Sequence, residues 1–234
     1  MIPKLIHQIW LSAEPMPKVM ADWRKRWQEF NPDWTAILWT NNTGSFQLKS
    51  DWQRGTYIIA PLVLHNLLTK ACHLSQRSNI WRYLITYLYG GLYIDTDVEP
   101  FKPIDNLVAD YPAFTVQRWL PDGVPNIYEC AFFGAISKHP WIRQLVCELP
   151  ICNPAIPLSM GVDYFTRVTK QHAEVTVLPK ELVLFQPPDN WREAKRRAEI
   201  PKIQDVQEVS TAAAFAKHHW SSSWFPGSFR PIWP

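Results

Sequence analysis

Residues 78–100 read Ser-Asn-Ile-Trp-Arg-Tyr-Leu-Ile-Thr-Tyr-Leu-Tyr-Gly-Gly-Leu-Tyr-Ile-Asp-Thr-Asp-Val-Glu-Pro, and the hydrophobic period changes inside them. Ile80, Leu84 and Leu88 recur every four residues with Trp81 and Ile85 beside them, which predicts one apolar stripe down a helix. Ser75 or Ser78 is placed to cap its start, and Gly90-Gly91 to end it. After the glycines the period is two. Leu92 and Ile94 fall on one side of a short strand, and Tyr93, Asp95 and Asp97 on the other. A buried helix handing over to a buried strand constrains the chain to an α/β fold.

The same stretch carries the first candidate chemistry. Carboxylates at i and i+2 of a strand end lie roughly 6 to 7 Å apart at their Cα atoms. Like charges that close raise each other's pKa unless a cation lies between them. Oxygen ligands suit a hard divalent ion, Mg²⁺ or Mn²⁺, which takes further ligands from water and from a substrate phosphate. An isolated Asp-x-Asp is most often a solvated turn. The helix, the double glycine and the apolar strand before this one place it where a solvated turn would not normally be.

Three blocks together resemble a known family: Arg82 with Tyr-Gly-Gly-Leu-Tyr-Ile-Asp-Thr-Asp-Val-Glu-Pro, the opening Ile-Pro-Lys-Leu-Ile-His-Gln-Ile-Trp, and the late His-His-Trp-Ser-Ser-Ser-Trp. They are similar to the DXD-containing sugar transferases (glycosyltransferase family 32 type), which include fungal α-1,6-mannosyltransferases and bacterial capsular polysaccharide transferases. The core is also similar to that of clostridial glucosylating toxins. The resemblance implies a GT-A-like nucleotide-sugar-binding fold, with a mostly parallel central sheet, helices on both faces and the site at the strand C-termini. It also implies a metal-dependent retaining transfer of a hexose from a nucleoside-diphosphate sugar, UDP-sugar before GDP-mannose, to a hydroxyl of a saccharide or glycolipid acceptor.

Site residues follow from the same resemblance. Asp97 would bind Mn²⁺ or Mg²⁺ directly. Asp95 would take the donor ribose or a metal-bound water, and Arg82 would hold Asp95 or a donor sugar hydroxyl. Gln8, Ile9 and Trp10 would lie near the base, Trp10 being equally suited to core packing. The tail, residues 216–234, would close over the donor as a lid, with His218 as a metal ligand, His219 as the alternative, and Trp224 shutting the cleft. Asn79 stands where the family usually has Asp, one turn before Arg82. That departure keeps open a second class, a weak or inactive nucleotide- or carbohydrate-binding protein on the same scaffold. A toxin-like protein glycosyltransferase is the third, although the toxins' added helices have no room in this length.

Composition sets the bounds. With 234 residues, 47% of them hydrophobic, the chain can build one sizeable core, so a single catalytic domain over 1–234 is expected. Its 24 basic and 21 acidic residues argue against phosphate-driven nucleic-acid binding. Cys72, Cys130, Cys147 and Cys152 have no metal or disulfide spacing, which fits a reducing compartment. No apolar run approaches the roughly 18 residues of a membrane helix. The expected setting is cytoplasmic, without a transmembrane segment.

Along the chain, residues 4–11 read as a buried parallel strand with His7 as a core residue, 17–30 as a helix with Met20, Trp23, Trp27 and Phe30 inward, and 34–39 as the next strand. Residues 40–55 are polar and irregular, and 57–70 can supply a helix interrupted at Pro61. The prolines of 99–103 predict a loop leaving the sheet. Strands are expected at 113–117, 130–136 and 175–178, with a turn at 121–125. A helix is expected over 139–149, and a turn at 159–163 starts another. Glu129 reads as an exposed loop carboxylate, with acceptor contact or support of the site as the alternative. Arg192, Lys195, Arg196 and Arg197 form a basic face that reads as solvated, with peripheral membrane or acceptor-phosphate contact as the alternative.

Overall fold

The computed structural model describes residues 1–40, 61–71, 73–108, 110–118, 127–154, 156, 159–185 and 213–219. The chain opens with β1 (Leu5–Trp10), α1 (Lys18–Phe30) and β2 (Thr35–Thr40), and β1 and β2 pair in parallel. Met20, Trp23 and Trp27 are the buried positions of α1, as their helical spacing requires. Asn31 ends that helix, its Nδ2 donating to the Trp27 carbonyl at 2.8 Å while its Oδ1 accepts from Ile104 N at 2.8 Å. Next come α2 (Pro61–Lys70) and α3 (Leu74–Tyr89). Among the described residues α2 begins at Pro61, and residues 57–60 of the expected interrupted helix lie outside them. A capping box of His73 and Gln76 starts α3, one residue before the nearer of the two expected serines.

Gly90 and Gly91 turn α3 into β3 (Gly91–Ile94) with φ of 66° and 98°, a region that side chains strain to enter. A Cβ on Gly90 would stand 2.6 Å from Ser137 N, and one on Gly91 2.7 Å from the Leu5 carbonyl oxygen. His7 locks the turn from β1. Its Nδ1 accepts from Trp39 Nε1 at 3.2 Å, so the proton sits on Nε2, which donates to the Gly90 carbonyl at 2.8 Å. Burial pushes this imidazole down to about 4, so it is neutral, the core residue the sequence suggested.

The remaining elements are β4 (Val98–Pro100), α4 (Asp105–Val108), β5 (Ala113–Gln117), β6 (Tyr128–Ala135), α5 (Pro140–Cys147), α6 (Val162–Thr169), β7 (Thr176–Leu178), β8 (Val183–Phe185) and β9 (Ala216–His218). Six strands form the main sheet in the order β2-β1-β3-β6-β5-β7. Its pairings are parallel except for the two made by β6. One core, with Ile6, Trp27, Leu92, Ile94 and Phe132, packs α1 and α4 on one face. The other, with Ile80, Tyr83, Tyr93, Phe133, Trp141 and Phe165, packs α3, α5 and α6 on the opposite face. This is the expected α/β architecture with helices on both faces.

One expectation fails. Val98–Pro100 does not leave as a loop but pairs antiparallel with β9, in a second sheet of order β4-β9-β8. Pro100 is tolerated because it is the last residue of β4, on the edge of that sheet. Residues 41–60, the turn at 121–125, the basic face at 190–199 and the tail beyond 219 lie outside the described residues. Among the described residues no helix is long and apolar enough to cross a membrane.

Candidate active site

The site grows out of the end of β3. Asp95 N still follows the sheet and donates to the Ala131 carbonyl at 2.9 Å, but Val98 N then donates back to the Asp95 carbonyl at 3.1 Å. Asp95-Thr96-Asp97-Val98 is therefore a turn between β3 and β4, not the strand face that period two suggested. The turn is held from both sides. Trp27 Nε1 donates to the Val98 carbonyl at 2.9 Å, and His219 N donates to the Asp97 carbonyl at 3.0 Å.

The pairing of β4 with β9 brings the tail histidines to the turn, with His218 opposite Val98. His218 Nε2 lies 3.2 Å from Asp97 Oδ1. His219 points elsewhere. Its ring stacks on Trp23 with centroids 4.5 Å apart, and its Nε2 lies 3.0 Å from Glu99 Oε2, a carboxylate that Arg26 also holds at 3.0 Å. Ligand atoms of Asp95, Asp97 and His218 all lie within 4.8 Å of one another.

Asp95 is oriented from below. Tyr93 Oη donates to its Oδ1 at 2.5 Å, and Arg82 Nη2 lies 3.1 Å from the same oxygen. Oδ2 is the oxygen that neither of these groups holds. Arg82 is itself fixed, with Nη1 donating to the Cys130 carbonyl at 2.6 Å and its guanidinium lying 4.6 Å from the Tyr93 ring centroid. Burial holds the Asp95 carboxyl above its ordinary value, although Arg82 opposes the shift, and Asp97 adds to it. Burial alone would lower His218, but the Asp97 carboxylate wins and holds it above its ordinary value. Two carboxylate oxygens and an imidazole nitrogen this close together fit a divalent cation by position and by donor chemistry.

Glu129 was expected to be an exposed loop carboxylate, and the structure overturns that. It lies within β6, 2% exposed. Thr115 of β5 pairs with Phe133, but Gln117 pairs with Tyr128, so β6 bulges between them. The bulge turns Glu129 inward. Its Oε1 accepts from Ala131 N at 2.8 Å, its Oε2 lies 3.9 Å from Arg118 Nε, and its charge joins those that raise His218.

Other expected donor contacts divide by exposure. Gln8 and Ile9 are buried in β1, at 1% and 6%, and the Gln8 amide has no hydrogen-bond partner among the described residues. Trp10 is half-buried, with Nε1 donating to the Glu14 carbonyl at 2.9 Å. Asn79 is 6% exposed on α3, one turn before Arg82. Gly161 caps α6 as the turn at 159–163 predicted, leaving Asp163 exposed. Trp224 lies outside the described residues. Tyr93 is the residue the sequence reading gave no role, and Glu129 the one whose site role it held only as an alternative. Tyr93 shares a period-two face with Asp95, a usable signal; the bulge that buries Glu129 has none.

Residues 17–114 match the family described as the glycosyltransferase sugar-binding region containing a DXD motif. Inositol phosphoceramide mannosyltransferase 3 of Schizosaccharomyces pombe is 32% identical over 151 residues, 64% of this chain and 37% of its own length. Inositol phosphoceramide mannosyltransferase 1 of the same yeast is 28% identical over 195 residues, 76% of this chain and 56% of its own. The chain thus spans between about a third and just over half of these relatives. Among solved structures, the PaToxG glycosyltransferase superposes with a TM-score of 0.55 at 14% identity, covering 91% of this chain and 84% of that one, a likeness of fold. The chain thus carries a segment similar to the sugar-transferase region with a DXD motif, set in an architecture of GT-A-like fold.

Proposed function

We propose that the chain is one catalytic domain that transfers a hexose from a nucleoside-diphosphate sugar to a hydroxyl of a saccharide or glycolipid, with retention at the anomeric carbon. The observation that carries this is the convergence of Asp95, Asp97 and His218 within 4.8 Å at the C-terminal end of β3. Asp97 and His218 would hold Mn²⁺ or Mg²⁺, which when bound neutralises a departing diphosphate. Asp95, fixed through Oδ1, presents Oδ2 to the ribose or to a metal-bound water. Arg82 holds Asp95 in place; Asn79, on the same helix face, faces the donor. Trp10 offers the base a ring, with Gln8 and Ile9 beneath it, and the tail beyond β9, including Trp224, closes over the nucleotide.

The yeast relatives are named for mannosyl transfer to inositol phosphoceramide, which puts GDP-mannose beside UDP-sugars as donor and a glycolipid beside a polysaccharide as acceptor. Cys130, Cys147 and Cys152 are free thiols, in keeping with a cytoplasmic setting. The test is donor hydrolysis across UDP- and GDP-sugars with Mn²⁺, Mg²⁺ or chelator. Asp97→Ala should abolish turnover and the metal dependence of nucleotide binding. Equal binding of nucleoside diphosphate with chelator and with Mn²⁺ would overturn the metal assignment.

A further inference from the structure

Three of the five large apolar side chains that stand exposed among the described residues lie on one surface: Leu62 at 69%, Ile151 at 76% and Ile156 at 53%. Leu62 begins α2, which packs against the short turn Leu149–Ile151. Gln76, in the first turn of α3, donates through Nε2 to the carbonyls of Pro154 and Ile156, at 2.9 and 2.8 Å. These contacts tie α2, the start of α3 and residues 149–156 into one face. The outward row of α2 is Leu62, His65, Asn66, Thr69 and Lys70, all exposed, and Arg77 is half-exposed in the next helix. Between residues 52 and 94 the chain contains no Asp or Glu. Beside the other half of the face stands Glu148, which Arg167 holds at 2.7 Å, so the apolar tips are surrounded by cationic, neutral or paired groups.

Its position relates it to the site. Because α3 passes into β3 through Gly90-Gly91, the N-terminus of α3 lies toward the end of β3 that carries Asp95, and Arg82 spans that gap at 3.1 Å. Gln76 stands six residues earlier on the helix, about 9 Å further out at 1.5 Å per residue. The face therefore borders the cleft.

We infer that this face docks on a bilayer containing anionic lipid and holds the cleft at the membrane surface. Three separated aliphatic side chains fall far short of the ~800 Å² per partner that a stable protein interface buries. Shallow insertion of isolated apolar side chains beside cations is what an interface-seeking surface needs; α2 contributes no carboxylate, and Glu148 is paired with Arg167, which limits the repulsion that anionic headgroups would meet. The inference is independent of the donor and metal chemistry proposed above.

Flotation of the whole chain with phosphatidylcholine vesicles, with and without phosphatidylserine, tests it. The wild type binds the phosphatidylserine vesicles and is released by salt. The triple variant Leu62→Ser, Ile151→Ser, Ile156→Ser binds them at least about tenfold more weakly, and Lys70→Glu, which keeps all three apolar side chains, also weakens binding. Donor hydrolysis in vesicle-free solution is unchanged in both variants, since none of these side chains reaches the cluster. A wild type that ignores both vesicle types, or variants that bind as the wild type does, overturns the inference. So does light scattering that shows a wild-type dimer dissociated by the triple variant, because the face would then join two copies. Vesicle binding without hydrolysis of any donor would leave this surface standing and remove the transferase reading instead.

Discussion

Tyr93→Phe isolates one atom of the candidate site. The ring stays in place to pack on Phe133 and to face Arg82, and only the hydroxyl that donates to Asp95 Oδ1 at 2.5 Å is lost. Hydrogen bonds to charged groups contribute about 1.5 to 3 kcal/mol, and each 1.4 kcal/mol is a factor of ten. The whole bond is thus equivalent to between about tenfold and a hundredfold. Arg82 still holds the same oxygen at 3.1 Å, so Asp95 keeps one of its two anchors and the effect should sit at the lower end. Groups that orient a metal ligand typically change metal affinity by about 10- to 100-fold, which agrees. Mn²⁺ titration by calorimetry on the variant should therefore show about tenfold weaker binding, with circular dichroism and melting temperature near those of the wild type. An unchanged Mn²⁺ affinity in a folded variant would refute the argument that Asp95 serves the cluster through an orientation set by Tyr93. Weaker nucleotide binding with unchanged Mn²⁺ binding would assign Asp95 to the ribose alone.

Asn79→Asp places a carboxylate one turn from Arg82; charge-assisted bonds exceed neutral ones by about 1 kcal/mol, so donor binding should tighten several-fold to about tenfold, and a loss of activity would mark Asn79 as adapted to its donor. His7 is neutral in the fold with a pKa of about 4 against 6.5 for an unperturbed histidine, so its contribution is fully present above pH 6.5 and is lost as pH falls toward 4, by about 3 kcal/mol; unfolding free energies measured across that range should slope accordingly, and His7→Gln should flatten the slope. Gly90→Ala puts a Cβ 2.6 Å from Ser137 N at a φ of 66° and should destabilise by about 1 to 3 kcal/mol in denaturant titration; no change would mean the turn between α3 and β3 relaxes freely.

The turn at Gly90-Gly91 was legible because period and punctuation change together there, so α3 and β3 followed with little error. The inward face of α1 was legible for the same reason: Met20, Trp23 and Trp27 are set by local helical geometry. What stayed hidden is non-local or irregular. β4 and β9 are three residues each and pair across more than a hundred residues, so neither has a period long enough to read, and Pro100 argues against the first. The turn at residues 95–98 reuses the alternation of β3 for two more residues and so mimics a strand. The inward turn of Glu129 depends on a bulge, and a one-residue shift in register moves a side chain to the other face without altering composition. The choice between His218 and His219 was likewise undecidable locally; only the register of β4 against β9 puts His218 beside Asp97 and His219 against Trp23.

The charges around the turn also explain why Asp97 and His218 suit an exchangeable cation. Asp95 lies against Arg82, Glu99 against Arg26, and Glu129 nearest Arg118, and guanidiniums stay charged at any pH the fold survives. Asp97 lies beside the imidazole of His218, which unlike a guanidinium can give up its proton, although the Asp97 carboxylate holds that proton more firmly than usual. With His218 neutral, these four carboxylates and three guanidiniums sum to one net negative charge among the described residues, and a divalent ion would turn that into one net positive charge. A nucleoside diphosphate would thus meet repulsion at the empty cluster and attraction at the loaded one. The expected order of binding is metal with or before nucleotide, and the fixed arginine pairs would let a single ion reverse the sign of the site.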